Sequence, residues 1–201
     1  QLCTTHNSIL IFDEVMTGFR VGLGCAQQLL NIKPDLTTLG KVIGGGMPLA
    51  GFGGKKEIMD CLAPIGNVYQ AGTLSGNPIA VTAGLANLQL IQQEGFYPNL
   101  NKISQQLTHG LTKLAHAKGL AFSADYIGGM FGFYFLENIP TSFNAVKQAE
   151  QTVFNKFFHH MLDNGVFFAP SMFEAGFICS MHTPEVINQT LALAEDALAK
   201  F

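Results

Sequence analysis

Two short runs that read as strands, each followed by a charged residue, constrain the fold of this chain more than any other feature. The run 9–12 is followed by Asp13-Glu14, and the run 35–39 is followed, one glycine later, by Lys41. A weak helical pattern over 22–31 lies between the two runs. Strand, helix and strand at this spacing predict a parallel α/β unit, with a third short strand over 49–53.

The charged residues at the two strand ends predict a cofactor site. The carboxyl ends of parallel strands face one crevice, so the topology places Asp13 and Lys41 at one edge. A lysine amine there can hold an aldehyde as a Schiff base, and a carboxylate can keep a pyridine nitrogen protonated. Pyridoxal phosphate needs this pair, and Glu14 is an alternative to Asp13 as the carboxylate partner.

The surroundings of Lys41 decide whether it is functional. A lysine after a strand is most often a solvated surface residue. This lysine lies among apolar residues and just before the glycines 44–46, where burial of an ammonium group is costly without a role. We therefore expect Lys41 to be partly buried. The glycines would let the backbone come close to a ligand.

A Gly/Ser/Thr loop is the candidate phosphate site. Residues 72–76 read Gly-Thr-Leu-Ser-Gly, and Asn77-Pro78 then supplies an N-cap and a first helical residue. Backbone N–H groups and hydroxyls at a helix start suit a phosphate. Taken alone, the segment also fits an ordinary capped loop.

The rest of the chain predicts a change of architecture after Gly119. We expect a large-domain portion over 1–118 and a small α+β domain over 119–201, joined by a helix over 99–118. Alternation of Phe131, Phe133 and Phe135 predicts a strand with one aromatic face. The other predicted elements are helices over 77–94, 145–163 and 183–201, and strands over 120–123, 130–136 and 166–169.

Composition excludes several classes of function. Only 12% of residues are charged, about half the usual share, so either much surface is buried or the chain is incomplete and a missing part covers apolar surface. The net charge of −3 and the scattered lysines give no basic stripe for nucleic acid. No apolar run is long enough for a membrane span. Four isolated cysteines indicate reduced thiols and a cytoplasmic protein, and no metal site is expected.

Several motifs resemble one known family. The segments 12–15, 38–41, 71–73 and 76–78 are similar to the class III aminotransferases of fold type I, the pyridoxal-phosphate-dependent transferases. Gly129–Phe133 and above all Ala169–Phe177 resemble the glutamate-1-semialdehyde 2,1-aminomutases within that family. The resemblance covers nearly the whole chain.

The resemblance implies a role for each candidate residue. Lys41 would attach the cofactor and move protons between substrate carbons, and Asp13 would pair with the pyridine nitrogen. Gly72 and Thr73 would bind the cofactor phosphate across a homodimer interface. Glu174 would be a carboxylate of the substrate site. The reaction would convert glutamate-1-semialdehyde to 5-aminolevulinate for tetrapyrrole (porphyrin) synthesis.

The same resemblance implies that the chain is the carboxyl-terminal half of such an enzyme. Family members are about twice as long, so we expect an incomplete cofactor site, with weak or no cofactor binding and no activity by this portion alone. Two alternatives are a class III ω-aminotransferase and a non-catalytic fragment. Arg20 is the only arginine, and residues 119–201 lack the arginine with which such transaminases often bind a substrate carboxylate, which favours the mutase.

Overall fold

The computed structural model describes residues 1–201, which form two compact units, Gln1–Phe96 and Tyr97–Phe201. The helix predicted over 99–118 was assigned to the first domain. In the structure this helix spans 96–117, and all of it except Phe96 belongs to the second unit. The domain boundary at 118/119 stays a prediction. The helices are α1 Leu2–Thr5, α2 Cys25–Leu29, α3 Lys56–Met59, α4 Pro78–Ile91, α5 Phe96–Ala117, α6 Phe143–Val146, α7 Gln151–Asp163 and α8 Pro184–Leu198. The strands are β1 Ile11–Asp13, β2 Leu36–Leu39, β3 Gly51–Gly54, β4 Ser123–Ile127, β5 Met130–Tyr134 and β6 Gly176–Phe177.

The sheet of the first unit confirms the predicted parallel α/β unit. Its strand order is β1-β2-β3, and β1 runs parallel to β2 with α2 between them in sequence. The third strand pairs antiparallel with β2. β1 was expected to be buried, yet Ile11 is 55% exposed. The reason is that no other part of the chain covers the side of β1 on which Ile11 and Asp13 lie.

Helix α4 packs on the segment that carries Lys41. It begins as predicted, because the Asn77 side chain accepts a hydrogen bond from the Ala80 N–H at 2.9 Å. Residues 41–44 form a 3₁₀ turn beneath it. The apolar residues Ile79 and Leu85 of α4 are nevertheless exposed. A helix that is apolar on most faces is typical of a buried position, and little of this chain covers α4.

The second unit contains a well-packed aromatic core. Phe131, Phe133 and Phe135 of the β5 segment are all buried, which confirms the predicted aromatic face. The Phe133 ring lies 5.8 Å from that of Phe122 and 5.7 Å from that of Phe157, centroid to centroid. These distances are typical of stacked and edge-to-face aromatic pairs.

Three predicted elements of this unit differ from the structure. The strand expected over 120–123 begins only at Ser123 and continues to Ile127 as β4. Residues 166–169 form no strand, although the Phe168 ring lies in the core, 5.4 Å from that of Phe133. β5 instead pairs with the short β6. The helix expected over 145–163 is divided into α6 and α7, and between them the Glu150 N–H donates to the Phe135 carbonyl at 3.4 Å.

Candidate active site

The parallel strands bring Asp13 and Lys41 to the same edge of the sheet. Asp13 lies opposite Thr38 in the register of β1 and β2, and Lys41 follows the end of β2 by two residues. Both side chains are exposed there. The predicted placement at one strand edge is therefore observed.

Hydrogen bonds orient the Asp13 carboxylate and leave one of its oxygens available. The Thr38 hydroxyl donates to Oδ1 at 3.2 Å, and the Val15 N–H donates to the same oxygen at 3.0 Å. Oδ2 accepts no hydrogen bond. A carboxylate held through one oxygen can pair with a protonated ring nitrogen through the other.

Glu14, the alternative partner, has a structural role. Its carboxylate is buried and accepts hydrogen bonds from the Ala26 and Gln27 N–H groups at 3.0 and 2.8 Å, and from the Thr17 hydroxyl. Those N–H groups belong to the first turn of α2, which has no other side-chain cap. Glu14 therefore satisfies a helix N-terminus, and Asp13 is the carboxylate at the strand edge.

Lys41 differs from the expectation in its environment. Its side chain is exposed, where partial burial was expected, and it makes no ion pair. The backbone of Lys41 has φ +47°, a left-handed conformation that is strained for a residue with a long side chain. Strain of this kind persists where neighbouring structure imposes it, and it occurs at functional sites.

Helix α4 imposes that conformation. The Asn87 side-chain N–H donates to the Val42 carbonyl at 2.6 Å. Gly45 also adopts positive φ, and a Cβ there would lie 2.8 Å from the Ala83 carbonyl oxygen. The close approach of α4 to residues 42–45 thus holds the turn from which the Lys41 amine projects.

The candidate phosphate residues lie in the turn before α4. The Ser75 N–H donates to the Gly72 carbonyl at 2.9 Å, and Thr73 is exposed. No hydrogen bond joins Thr73 to Asp13 or Lys41. The structure therefore places the phosphate candidates one turn ahead of the helix that supports Lys41, without direct contact between the side chains.

Glu174 lies in the second unit. It is exposed, and its N–H donates to the Ser171 carbonyl at 3.1 Å. The side chain lines a cavity of about 640 Å³ whose walls are mostly aromatic and aliphatic. A carboxylate at the rim of an apolar cavity suits an amine or another polar end of a small ligand.

Two residues of the site were not foreseen. Thr38 orients Asp13, and Asn87 holds the lysine turn. The signals were present. Thr38 faces Asp13 once the parallel register is known, and Asn87 is one of the few polar residues of a mostly apolar helix.

The chain has neither a metal-binding cluster nor a membrane-spanning helix. No three histidine, cysteine or acidic side chains come together to hold a metal ion, and none of the helices has the length and apolar character of a membrane span. Burial lowers the pKa of the Arg20 guanidinium, whose Nε–H donates to the Met16 carbonyl at 2.9 Å.

Known proteins resemble the chain along almost all of its length. The family model "Aminotransferase class-III" matches residues 1–193. A glutamate-1-semialdehyde 2,1-aminomutase of Nitrosospira multiformis is 60% identical over 200 residues, which cover 100% of this chain and 47% of the relative. The chain thus spans about half the length of the curated relatives it matches. Its position within their length stays a prediction.

Solved structures show the same fold. An ω-transaminase from Sphaerobacter thermophilus matches with a TM-score of 0.87 at 24% identity, over 98% of this chain and 45% of that one. A structure described as a transaminase with PLP bound matches with a TM-score of 0.84 at 23% identity, over the same shares of the two chains. Together with the match of the family model over residues 1–193, these likenesses show that the chain belongs to the class III aminotransferase family and has its α/β fold.

Proposed function

We propose that this chain is part of a pyridoxal-phosphate-dependent isomerase that converts glutamate-1-semialdehyde to 5-aminolevulinate. The observation that carries the proposal is the pair at the ends of two adjacent parallel strands, an oriented Asp13 carboxylate on β1 and Lys41 on a strained turn after β2. The 60% identity to a relative that bears the aminomutase name supports the choice of reaction. The roles of the individual residues are part of the proposal.

The residues present fit the cofactor. The Asp13 Oδ2 oxygen has no partner, and the Lys41 amine is exposed and unpaired, as attachment of an aldehyde requires. Pyridoxal phosphate, when bound, withdraws electrons from the substrate carbon that loses a proton. A transaminase with this cofactor bound has the same fold.

Each side chain then has a defined task. Asp13 keeps the ring nitrogen protonated, with Thr38 fixing the carboxylate plane. The Lys41 Nζ would hold the cofactor and would carry a proton between the two substrate carbons. Gly72 and Thr73 contribute an N–H and a hydroxyl to the phosphate. Glu174 binds the polar end of the substrate.

The chain spans about half the length of its relatives, and this affects the activity expected of it. Residues that complete the cofactor site are expected in the part of the protein that corresponds to the other half of the relatives. We therefore propose that these 201 residues alone are inactive and bind the cofactor weakly. We further propose that the whole protein works as a cytoplasmic homodimer, because its four thiols are free and Thr73 projects from the surface.

The test uses the full-length protein that contains this chain. Incubation with glutamate-1-semialdehyde and no amino donor should produce 5-aminolevulinate, and Lys41→Ala should abolish turnover. A stoichiometric requirement for an external donor and keto acid would show an ω-aminotransferase instead. Unchanged turnover of Lys41→Ala would exclude an enzyme that works through this lysine.

A second test uses only the 201 residues and does not depend on activity. Pyridoxal phosphate is added, the sample is reduced with borohydride, and peptide mapping identifies any modified lysine. We expect no saturable labelling of Lys41 by the chain alone and selective labelling of Lys41 in the full-length protein. Saturable labelling of the isolated chain would show that its cofactor site is already complete.

A further inference from the structure

A cysteine and a histidine form a close pair in the second unit, and the proposed reaction uses neither. They occupy the turn Cys179-Ser180-Met181-His182, which connects β6 to α8. The Cys179 Sγ lies 3.3 Å from the His182 Nδ1. The turn is closed by the His182 N–H, which donates to the Cys179 carbonyl at 3.1 Å.

The backbone defines which imidazole nitrogen faces the sulfur. The Cys179 N–H donates to the His182 Nδ1 at 3.0 Å, so in the neutral ring Nδ1 is the acceptor and Nε2 carries the proton. The thiol faces the same single lone pair, so transfer of its proton to Nδ1 requires the Cys179 N–H to release this hydrogen bond. After proton transfer, the Nδ1–H would lie between Sγ and the Cys179 carbonyl oxygen, 3.4 Å away.

The pair is accessible on one side and supported on the other. Cys179 is exposed, whereas His182 is partly buried and lines the cavity of about 640 Å³ described above. The charged groups near the pair are Glu174, which lines the same cavity, and Glu185 in the first turn of α8. The imidazole is therefore held in place while the sulfur can be reached from solvent.

The other cysteines lack such a partner. Cys25 is buried, and burial raises the pKa of its thiol. Cys61 is exposed, but its Sγ faces only the Glu57 carbonyl at 3.7 Å. Cys61 is thus a reference thiol that is also exposed but has no base beside it.

We propose that Cys179 is a nucleophilic thiol that is modified by small disulfides, with His182 as its base. The S–H bond breaks and the proton goes to the His182 Nδ1, while Sγ attacks one sulfur of the disulfide. The disulfide bond breaks and its second half leaves as a thiolate. Cys179 is oxidised to a mixed disulfide, the leaving half is reduced, and any thiol reverses the step. This proposal is independent of the proposed function.

The test measures modification of Cys179 and Cys61 in the same molecules. The 201-residue chain is treated with oxidised glutathione, and separately with iodoacetamide, near neutral pH, and peptide mapping gives the rate at each cysteine. We expect Cys179 to react at least about threefold faster than Cys61 with both reagents. In concentrated urea the two rates should converge, because unfolding separates the thiol from the imidazole. A folded-state rate at Cys179 no higher than at Cys61 would overturn the proposal.

Two variants separate the base from the hydrogen bond. His182→Phe removes the acceptor, and His182→Asn keeps an acceptor near the position of Nδ1 but cannot take a proton. Both should lower the Cys179 rate to about that of Cys61 and leave the Cys61 rate unchanged, with circular dichroism confirming the fold. If either variant retains the fast rate at Cys179, His182 is not the base and the proposal fails.

Discussion

At the scale of single residues, two adjacent carboxylates have divided roles. Glu14 is buried and caps α2, whereas Asp13 is exposed and held through one oxygen. The division follows from strand geometry, because successive side chains at a strand end point to opposite sides. One sequence pair thus provides both a structural anchor and a candidate cofactor ligand.

Glu14→Ala should destabilise the chain strongly. The substitution leaves the Ala26 and Gln27 N–H groups without their acceptor in a buried site, and we expect a loss of about 2–4 kcal/mol of unfolding free energy. Urea unfolding followed by circular dichroism measures it. Asp13→Asn is the matched control, since that side chain is exposed, and it should change stability by less than ~1 kcal/mol. Equal effects of the two substitutions would contradict the assigned roles.

At the scale of elements, the contact of α4 with the 3₁₀ turn is the most consequential packing of the first unit. Asn87 donates to the Val42 carbonyl, and Gly84 lies against the backbone of Ile43 so closely that a Cβ would overlap it. Small and polar residues on α4 therefore determine where the lysine turn lies. The helix acts as a support for Lys41 as well as a connection.

Asn87→Ala should weaken this contact. Loss of the hydrogen bond to the Val42 carbonyl is expected to cost about 0.5–1.5 kcal/mol, the usual net value of one hydrogen bond, because the carbonyl still accepts from the Gly45 N–H. Gln92→Ala is the control, since Gln92 donates only to the Leu88 carbonyl of its own helix, and it should cost less than ~0.5 kcal/mol. Chemical denaturation compares the two. If Gln92→Ala lowers the unfolding free energy as much as Asn87→Ala does, the hydrogen bond between α4 and the turn does not contribute more than a local one.

Asp35 connects the three strands of the first sheet. Its carboxylate accepts from the Leu10 N–H at 2.7 Å and pairs with Lys55 at 2.5 Å. The Leu10 N–H and then Lys55 hold the pKa of the Asp35 carboxyl below its usual range. A lowered folded-state pKa contributes stability above the unfolded value, near ~3.9, and this stability is lost as the pH falls below it.

Asp35→Asn should therefore lower the urea midpoint above about pH 5, and the difference from the unmodified chain should shrink as the pH falls below ~4. Asp60→Asn is the control, because Asp60 makes only a local surface pair with Lys56. It should shift the midpoint little at any pH. A pH-independent difference for Asp35→Asn would show that its ion pair and hydrogen bond do not stabilise the charged form.

At the scale of the whole molecule, the two units differ in how much core they contain. Five apolar residues are buried in Gln1–Phe96, against 21 in Tyr97–Phe201. The first unit also carries 18 of the 28 exposed large apolar side chains. The low share of charged residues had two possible explanations, either much buried surface or a missing part of the protein that covers apolar surface. The structure favours missing cover for the first unit, in agreement with relatives of about twice the length.

Hydrogen exchange should reveal this difference. We expect the amides of β5 to be among the slowest to exchange and those of β1 and β2 to be much faster, because local opening exposes little new apolar surface in the first unit. Mass spectrometry of peptides from the two units gives the rates. Equal protection of β1 and β5 would show that the first unit has a stable core of its own.

The sequence by itself determined the parallel α/β unit, the candidate pair Asp13 and Lys41, the cap of α4 and the aromatic face of β5. These features follow from periodicity, helix capping and strand direction, which depend on residues close together in the sequence. The predicted strand over 166–169 was wrong. A short apolar run can form either a strand or an irregular segment packed in the core, and only the tertiary structure distinguishes the two. The separation of Glu14 from Asp13, the exposure of Lys41 and the support from Asn87 were likewise decided by tertiary structure. Each depends on which distant element lies beside the residue, and no local pattern specifies that.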